Sequence, residues 1–387
     1  MRTQGARYLS YKGGVKSRAP GERVVISDFG EDPPDAIARL LALEEQAFPD
    51  VDALAPTDVV IAVESAAVGW VDLLMTSGQY QHMAAPPYTP GLEYSGRVIW
   101  AGPGVRRAAV GDPVIADGFL TGPRSKGAYQ GYGGFATYAV APEEALLPLP
   151  PELTFDQGCN LLGNYETAYH GLITRGQLRP GETVLIHGAS GSTGLAAVHV
   201  AKQVGARVIA TGRSPSKLVT VQEQGADHVL AIGNPDGTPG IRRFRDEVKA
   251  LTDGSGVDVV YDGVGGEVSL ESLRCVRFGA RVLIVGWAST PFVARGRGQR
   301  GAPRANALPT NLIMMKGLDV LGCPTVISTH RDPSIRAGRI AAILEWVRSG
   351  GLRPTVGPVY PLSQVAEAML AKWSSRHVGG SVLRPGG

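Results

Sequence analysis

The chain has 387 residues and 43% hydrophobic content, enough to bury two cores, so two domains are expected. Its formal charge of +3 is small and dispersed, which gives no sign of a nucleic-acid or membrane partner. The three cysteines, Cys159, Cys275 and Cys323, are odd in number and far apart, which argues against a disulfide framework and fits reduced thiols. The N-terminal MRTQGARYLSYKGG has no apolar signal core and no window reaches the length of a membrane helix, so a cytoplasmic protein is expected.

In chain order, Arg23 to Phe29 and Asp58 to Ser65 read as strands, and Pro34 to Phe48 carries Ile37, Leu40, Leu41 and Leu43 at helical spacing. Glycines and prolines then punctuate Pro86 to Pro151, separating strand-like pieces at Tyr94–Ala101, Pro113–Ala116 and 136–140. This region reads as an irregular, β-rich domain. From Thr183 onward strand and helix alternate: 183–187, a helix from Thr193, 207–211, a helix from Pro215, 257–262, a helix from Val268, and 281–285. That alternation predicts a parallel sheet covered by helices on both faces. Two further helices, 335–349 and 364–372, and a strand at 381–383 complete the chain.

Residues His187 to Gly194 read HGASGSTG and sit directly between a strand and a helix. Against the dinucleotide fingerprint G-x-G-x-x-G, the chain offers Ala189, Ser190, Gly191, Ser192, Thr193 and Gly194, with alanine in the first glycine place. Gly191 lets a diphosphate approach the backbone, Gly194 lets helix and strand pack closely, and the helix N-terminus offers unpaired N–H groups.

An NAD site carries an Asp or Glu at the end of the second strand, about 20 residues beyond the glycines, for the ribose 2′-hydroxyl. Here Gly212, Arg213, Ser214 and Lys217 stand at that place, and no carboxylate does. Arg213 and Lys217 suit a 2′-phosphate, so the expected cofactor is NADPH.

The segments PGLEYSGRVIWAGPGV, VGDPV, GGFATYAV, NYETAYHGL, LRPGETVLIHGASGSTG, GVDVVYDGVGG, GARVLIVGWAS, NLIMMKGLDVLG and the GGSVL ending resemble the medium-chain dehydrogenase/reductase superfamily, in its zinc-independent NADPH:quinone oxidoreductase branch. The resemblance runs from about Val59 nearly to the end. It implies an α/β chain with a GroES-like β-rich substrate domain, residues 1–155 and 326–387, and a Rossmann NADP-binding domain, residues 156–325. It also implies cofactor contacts at Asn164, Thr167, Gly263, Val264, Gly286, Trp287 and Asn311. The same likeness places Tyr80 and Trp70 at the catalytic cleft, Tyr80 either donating a proton or packing. Asp72 is expected to cap the adjoining helix. Relatives of this kind are homodimers, here through edge strands near 281–285 and 318–321.

The zinc-using branch takes ligands from a Cys in the segment matching Val68 to Asp72 and from a His where this chain has Leu92 and Glu93. Neither residue type is present, so no metal is expected. Two segments depart from the family pattern: the helix-bearing insertion 34–56 and the arginine-rich stretch 294–311. Its arginines could meet the phosphates of an acyl-CoA, touch RNA or lie in a solvated loop. His187 and His170 have no spaced partner and are read as packed or surface residues.

The reading is a metal-free NADPH-dependent reductase of a quinone or of a conjugated alkene, an enone or enoyl thioester. The alternatives are an alcohol dehydrogenase-like carbonyl reductase and a non-catalytic NADPH-binding protein.

Overall fold

The computed structural model describes residues 19–82, 84–125, 127–289 and 306–386. Six strands, Thr183–Ile186, Arg207–Gly212, His228–Ala231, Val257–Asp262, Val276–Ile284 and Asp319–Gly322, form one parallel sheet. In space the third lies outside the second, then the first, fourth, fifth and sixth follow, the order of a doubly wound nucleotide-binding sheet. Its strands read as apolar runs because helices cover both faces, and Val184, Leu185 and Ile186 are fully buried. The crevice lies where the order reverses, beyond the carboxyl ends of Thr183–Ile186 and Val257–Asp262.

A second sheet of seven strands is built from both ends of the chain. Asp58–Ala67 lies at its centre and pairs with Tyr94–Ala101, Tyr138–Pro142 and the C-terminal Gly380–Arg384. This is the expected GroES-like lobe. The fold class read from the sequence therefore holds, with both expected cores present and Cys159, Cys275 and Cys323 free and buried.

Three expectations change. The helix expected over 34–48 ends at Arg39, and Leu41–Gln46 is a strand paired antiparallel along its length with Gly21–Ile26. The leucines at 40, 41 and 43 suit either period, and backbone pairing with the preceding strand decides the outcome. The strand expected as an edge at 281–285 is part of Val276–Ile284 and has parallel neighbours on both sides, so among the described residues Asp319–Gly322 is the edge at that end of the sheet. Helix Ile335–Arg348, placed by the sequence beyond a boundary at 326, buries Ile343 and Val347 in one cluster with Val184, Ile186 and Leu195. It therefore packs into the core of the parallel sheet.

Arg336 on that helix ties the lobes together. Its guanidinium pairs with Glu166 at 2.6 Å and also with Asp117, which follows the GroES-like strand Pro113–Ala116. Arg339 reaches Glu166 at 2.8 Å. Buried carboxylates are tolerable only when paired and hydrogen-bonded in this way. Among the described residues no helix is long and apolar enough to cross a membrane.

Candidate active site

The bend between Thr183–Ile186 and helix Ser192–Val204 has the geometry of an anion cradle. Gly188 takes the left-handed conformation at φ 62°, so the turn is made one residue before Ala189. Ala189 is fully buried, its N–H bonded to the Thr211 carbonyl at 3.1 Å. A Cβ on Gly194 would collide with the Gly188 carbonyl and approach Ala189 Cα to 2.7 Å, so close packing demands glycine there. Gly191 differs: a Cβ would meet only the Gly188 oxygen, at 3.5 Å. The fold alone does not require glycine at 191, and the space is left beside the helix N-terminus.

That N-terminus is bare. Gly191 is the N-cap and supplies no side-chain cap, which leaves the first-turn N–H groups of Ser192, Thr193 and Gly194 directed at the crevice. Thr193 Oγ1 donates to Asn164 Oδ1 at 2.9 Å, and Asn164 Nδ2 donates to the Asn160 carbonyl at 3.0 Å. Thr167, one turn beyond Asn164 on helix Leu162–Tyr169, is half-buried on the same side. Beneath the turn, His187 is fully enclosed. Ser272 spends its proton on the Val268 carbonyl at 2.6 Å and so accepts from His187 Nε2 at 2.6 Å, leaving Nδ1 to accept from Thr211 at 2.7 Å. Burial lowers the His187 pKa to about 4 and keeps it neutral, so it braces the floor of the turn.

The other lobe contributes to the same cradle. Gly379 pairs with Gly191, its N–H bonded to the Ser190 carbonyl at 3.0 Å. Lys372 Nζ donates to Ser192 Oγ at 3.0 Å. Burial lowers the Lys372 pKa to about 8, and the Asp72 carboxylate pulls it partly back up. A half-starved ammonium beside uncapped amides fits a diphosphate.

At the end of Arg207–Gly212, Arg213 is exposed and its side chain has no ion-pair partner among the described residues. Lys217 donates to the Ser375 carbonyl, and burial together with the Arg213 charge lowers its pKa. Ser214 caps no amide of helix Pro215–Glu223, and its hydroxyl meets Ser216 at 2.9 Å. Burial lowers the pKa of His377, and the charges of Arg376 and Lys217 lower it further. Gly212, Arg213, Ser214 and Lys217 thus lie together at this strand end, with Arg376 and His377 beside Lys217.

Beyond Val257–Asp262, the buried Asp262 holds the next turn, with Oδ1 accepting from Val264 N at 2.8 Å and Gly265 N at 2.9 Å. The Gly286 to Ser289 segment zips onto it: Ala288 N reaches the Gly263 carbonyl at 3.2 Å and Ser289 N the Val264 carbonyl at 2.8 Å. Trp287 is half exposed beside them. Asn311 lies exposed on the short helix Thr310–Met315, with no side-chain hydrogen bond to a described residue, so it is not tied to these turns. The arginines of 294–305 lie outside the described residues.

On the GroES-like side, Trp70 opens the helix Trp70–Met75 and stacks on Trp373, the ring centroids 5.2 Å apart and the planes 5° from parallel. Asp72 does cap that helix, from inside it: Oδ2 accepts from Gly69 N, while Oδ1 accepts from Gly91 N and Leu92 N, each at 3.0 Å. Burial nonetheless raises its pKa to about 6. Tyr80 packs its ring on the cluster of Ile26, Met75 and Leu92, and its hydroxyl meets Arg124. Arg124 lies 3.8 Å from Glu93, whose pKa burial raises to about 7 against the pull of Arg124. Phe119 is flanked by two guanidinium groups, those of Arg124 at 4.5 Å and Arg336 at 4.3 Å. The segment from Val68 to Asp72 and the pair Leu92 and Glu93 hold no Cys or His, and among the described residues no group of three or more His, Cys, Asp or Glu side chains could hold a metal ion.

Residues 55–151 match the family model of the alcohol dehydrogenase GroES-like domain, and residues 192–333 that of the zinc-binding dehydrogenases. A quinone oxidoreductase-like protein 2 homolog of Nematostella vectensis is 33% identical over 317 residues, covering 81% of this chain and 78% of its own. The quinone oxidoreductase of Sus scrofa is 31% identical over 310 residues, covering 80% of this chain and 83% of its own. The chain belongs to the quinone oxidoreductase branch of the medium-chain dehydrogenase/reductase superfamily. A quinone oxidoreductase crystal structure from Pseudomonas syringae superimposes with a TM-score of 0.73 at 26% identity, over 94% of this chain and 100% of that one.

As a member of this branch the protein is an oxidoreductase. Sequence reasoning missed Lys372, Arg376 and His377 because they reach the cradle from the far end of the chain, where nothing local marks them. It missed Arg124 and Glu93 for a related reason: the guanidinium and the carboxylate are 31 positions apart and meet only in the folded lobe.

Proposed function

We propose that the protein is an NADPH-dependent reductase that passes hydride, without a metal, to a quinone or to an alkene conjugated with a carbonyl or thioester. The observation that carries this reading is the continuous track of amides and cations from Ser192 and Lys372 to Arg213, Lys217 and Arg376, with no carboxylate at the end of Arg207–Gly212. Bound nicotinamide would supply the hydride. The amides of Ser192, Thr193 and Gly194, with Lys372, would hold the diphosphate. Arg213, Lys217 and Arg376 would hold the 2′-phosphate.

On the acceptor side Tyr80 is the group best suited to meet developing negative charge. Burial raises its pKa, so its hydroxyl stays protonated and can donate to an acceptor oxygen. Arg124 stands behind it, and Glu93 holds or releases a proton near neutrality. Trp70, stacked on Trp373, walls the cleft. Neither the segment from Val68 to Asp72 nor the pair Leu92 and Glu93 supplies the Cys or His that zinc-using relatives place there, which supports a reaction without zinc. The edge strand Asp319–Gly322, with Val320, Met314 and Met315 exposed near it, supports pairing with a second copy as a homodimer.

The test is oxidation of NADPH by the purified protein with quinones, enones and enoyl-CoA esters, beside alcohols with NADP. Turnover with the first group supports the reading. Turnover with alcohols alone favours a carbonyl reductase, and tight NADPH binding with no turnover favours a protein that only binds the cofactor.

A further inference from the structure

A recess of about 460 Å³ opens on the parallel-sheet lobe away from the cofactor crevice, within the size range of small-molecule sites. Five cations line it: Arg245, Lys249, Arg274, Arg277 and Lys316, with the ring of Phe278 beside them. It sits at the amino ends of Val257–Asp262 and Val276–Ile284, whereas the cofactor crevice lies at the carboxyl ends, roughly 17 Å away along a six-residue strand. No phosphate of a ligand held in the cradle at Ser192 is needed to explain these charges.

Their partners leave the recess cationic. Arg277 pairs with Asp258, and Arg245 with Asp246 at 2.8 Å, a side chain that is itself 91% exposed. The nearby Glu271 turns Oε1 to the backbone N–H groups of Phe244 and Arg245. Lys249 and Lys316 are held inward by carbonyls, those of Ser255 at 2.8 Å and Leu273 at 2.7 Å, and neither has a carboxylate partner among the described residues. Arg274 has no hydrogen-bonding or ion-pair partner among the described residues. Burial and the surrounding charges of Lys249, Arg245 and Arg274 lower the pKa of Lys316, as expected where like charges converge without an anion.

From this convergence we infer that the recess binds a linked di- or triphosphate, at a site separate from the cofactor. Such a group offers several charged oxygens to several fixed donors at once. Two sources share this chemistry: an inorganic oligophosphate, and a nucleotide whose base would lie on Phe278, 75% exposed at the rim.

Calorimetry with the protein saturated in NADPH tests it, using pyrophosphate and ATP as probes. One site is expected, weakened by salt, with a loss of roughly tenfold or more in Arg274→Glu and in Lys316→Gln. The glutamine keeps a donor for the Leu273 carbonyl, so Lys316→Gln reports on charge rather than folding, and both variants should bind NADPH as the parent does. Tighter binding of ATP that Phe278→Ala removes assigns a nucleotide; equal binding of the two probes assigns the inorganic ligand. Absence of heat with both probes, heat that NADPH abolishes, or unchanged affinity in both charge variants overturns the inference.

Discussion

Lys372 and Ser192 join the two lobes at 3.0 Å, the lysine from the helix Val365–Trp373 and the serine from the first turn of Ser192–Val204. The lysine is held low, at about 8, against an ordinary 10.5. Between those values the unfolded chain binds more protons than the folded one, so this residue makes stability rise with pH from about 8 to 10.5; below 8 its cost is constant. That cost is at most about 3 kcal/mol, reduced by the water the side chain retains. Lys372→Met should therefore be more stable than the parent at pH 7 in thermal melts without cofactor, yet bind NADPH at least tenfold more weakly. Binding by the parent near pH 8.5 should take up a proton, read from calorimetry in buffers of different ionisation enthalpy. A variant that keeps full affinity would remove Lys372 from the cradle.

The glycines at 191 and 194 separate ligand space from folding space. Gly191→Ala should melt within about 1 kcal/mol of the parent, because its Cβ meets nothing closer than 3.5 Å, and should lose NADPH affinity. Gly194→Ala should lose stability by about 1–3 kcal/mol, since the added carbon meets backbone. Equal NADPH binding by Gly191→Ala and the parent would show that the empty space is not used.

Cofactor choice should rest on Arg213. Arg213→Glu is expected to lower the NADPH over NADH preference by roughly ten- to a hundredfold, the range of one charge-assisted hydrogen bond. Arg376→Ala should move it in the same direction by less. An unchanged ratio of kcat/KM for the two cofactors in both variants would place the 2′-phosphate elsewhere.

Glu93 should write itself into the pH profile. With its pKa raised to about 7, the folded state keeps a proton that the unfolded chain loses near 4.5, so this group makes stability fall as pH rises from about 4.5 to 7. If its proton reaches the acceptor, kcat should decline above pH 7, and Glu93→Gln should erase that inflection. Tyr80→Phe should lower kcat by roughly a hundredfold with NADPH affinity kept. A profile that is the same in parent and Glu93→Gln would leave the carboxyl with a purely structural part.

The parallel-sheet lobe was legible because its signals are local. A strand, a glycine bend and a helix follow one another at 183–194, and Gly212 to Lys217 stands one strand later. What escaped was set by neighbours distant in sequence. Whether Leu41–Gln46 continues a helix depends on Gly21–Ile26 lying ready to pair, and apolar spacing does not distinguish the two outcomes. The left-handed residue at the bend is Gly188, one place before the motif's first position, because it is φ and not the pattern that selects it. Lys372 and Arg376 carry no motif; they matter because Gly380–Arg384 pairs with Asp58–Ala67 and delivers the preceding residues to the bend.

The contact of Gly379 with Ser190 and Gly191 also constrains how a nucleotide gets in. Separating the lobes at that point would break the backbone pairing that shapes the phosphate seat, and the pin of Arg336 between Asp117 and Glu166 opposes a wide swing elsewhere. Arg213, at the end of Arg207–Gly212, stands exposed outside both of these contacts. If the proposed cofactor enters with the lobes still joined, its adenosine end is expected to be the part left nearest solvent, beside that arginine.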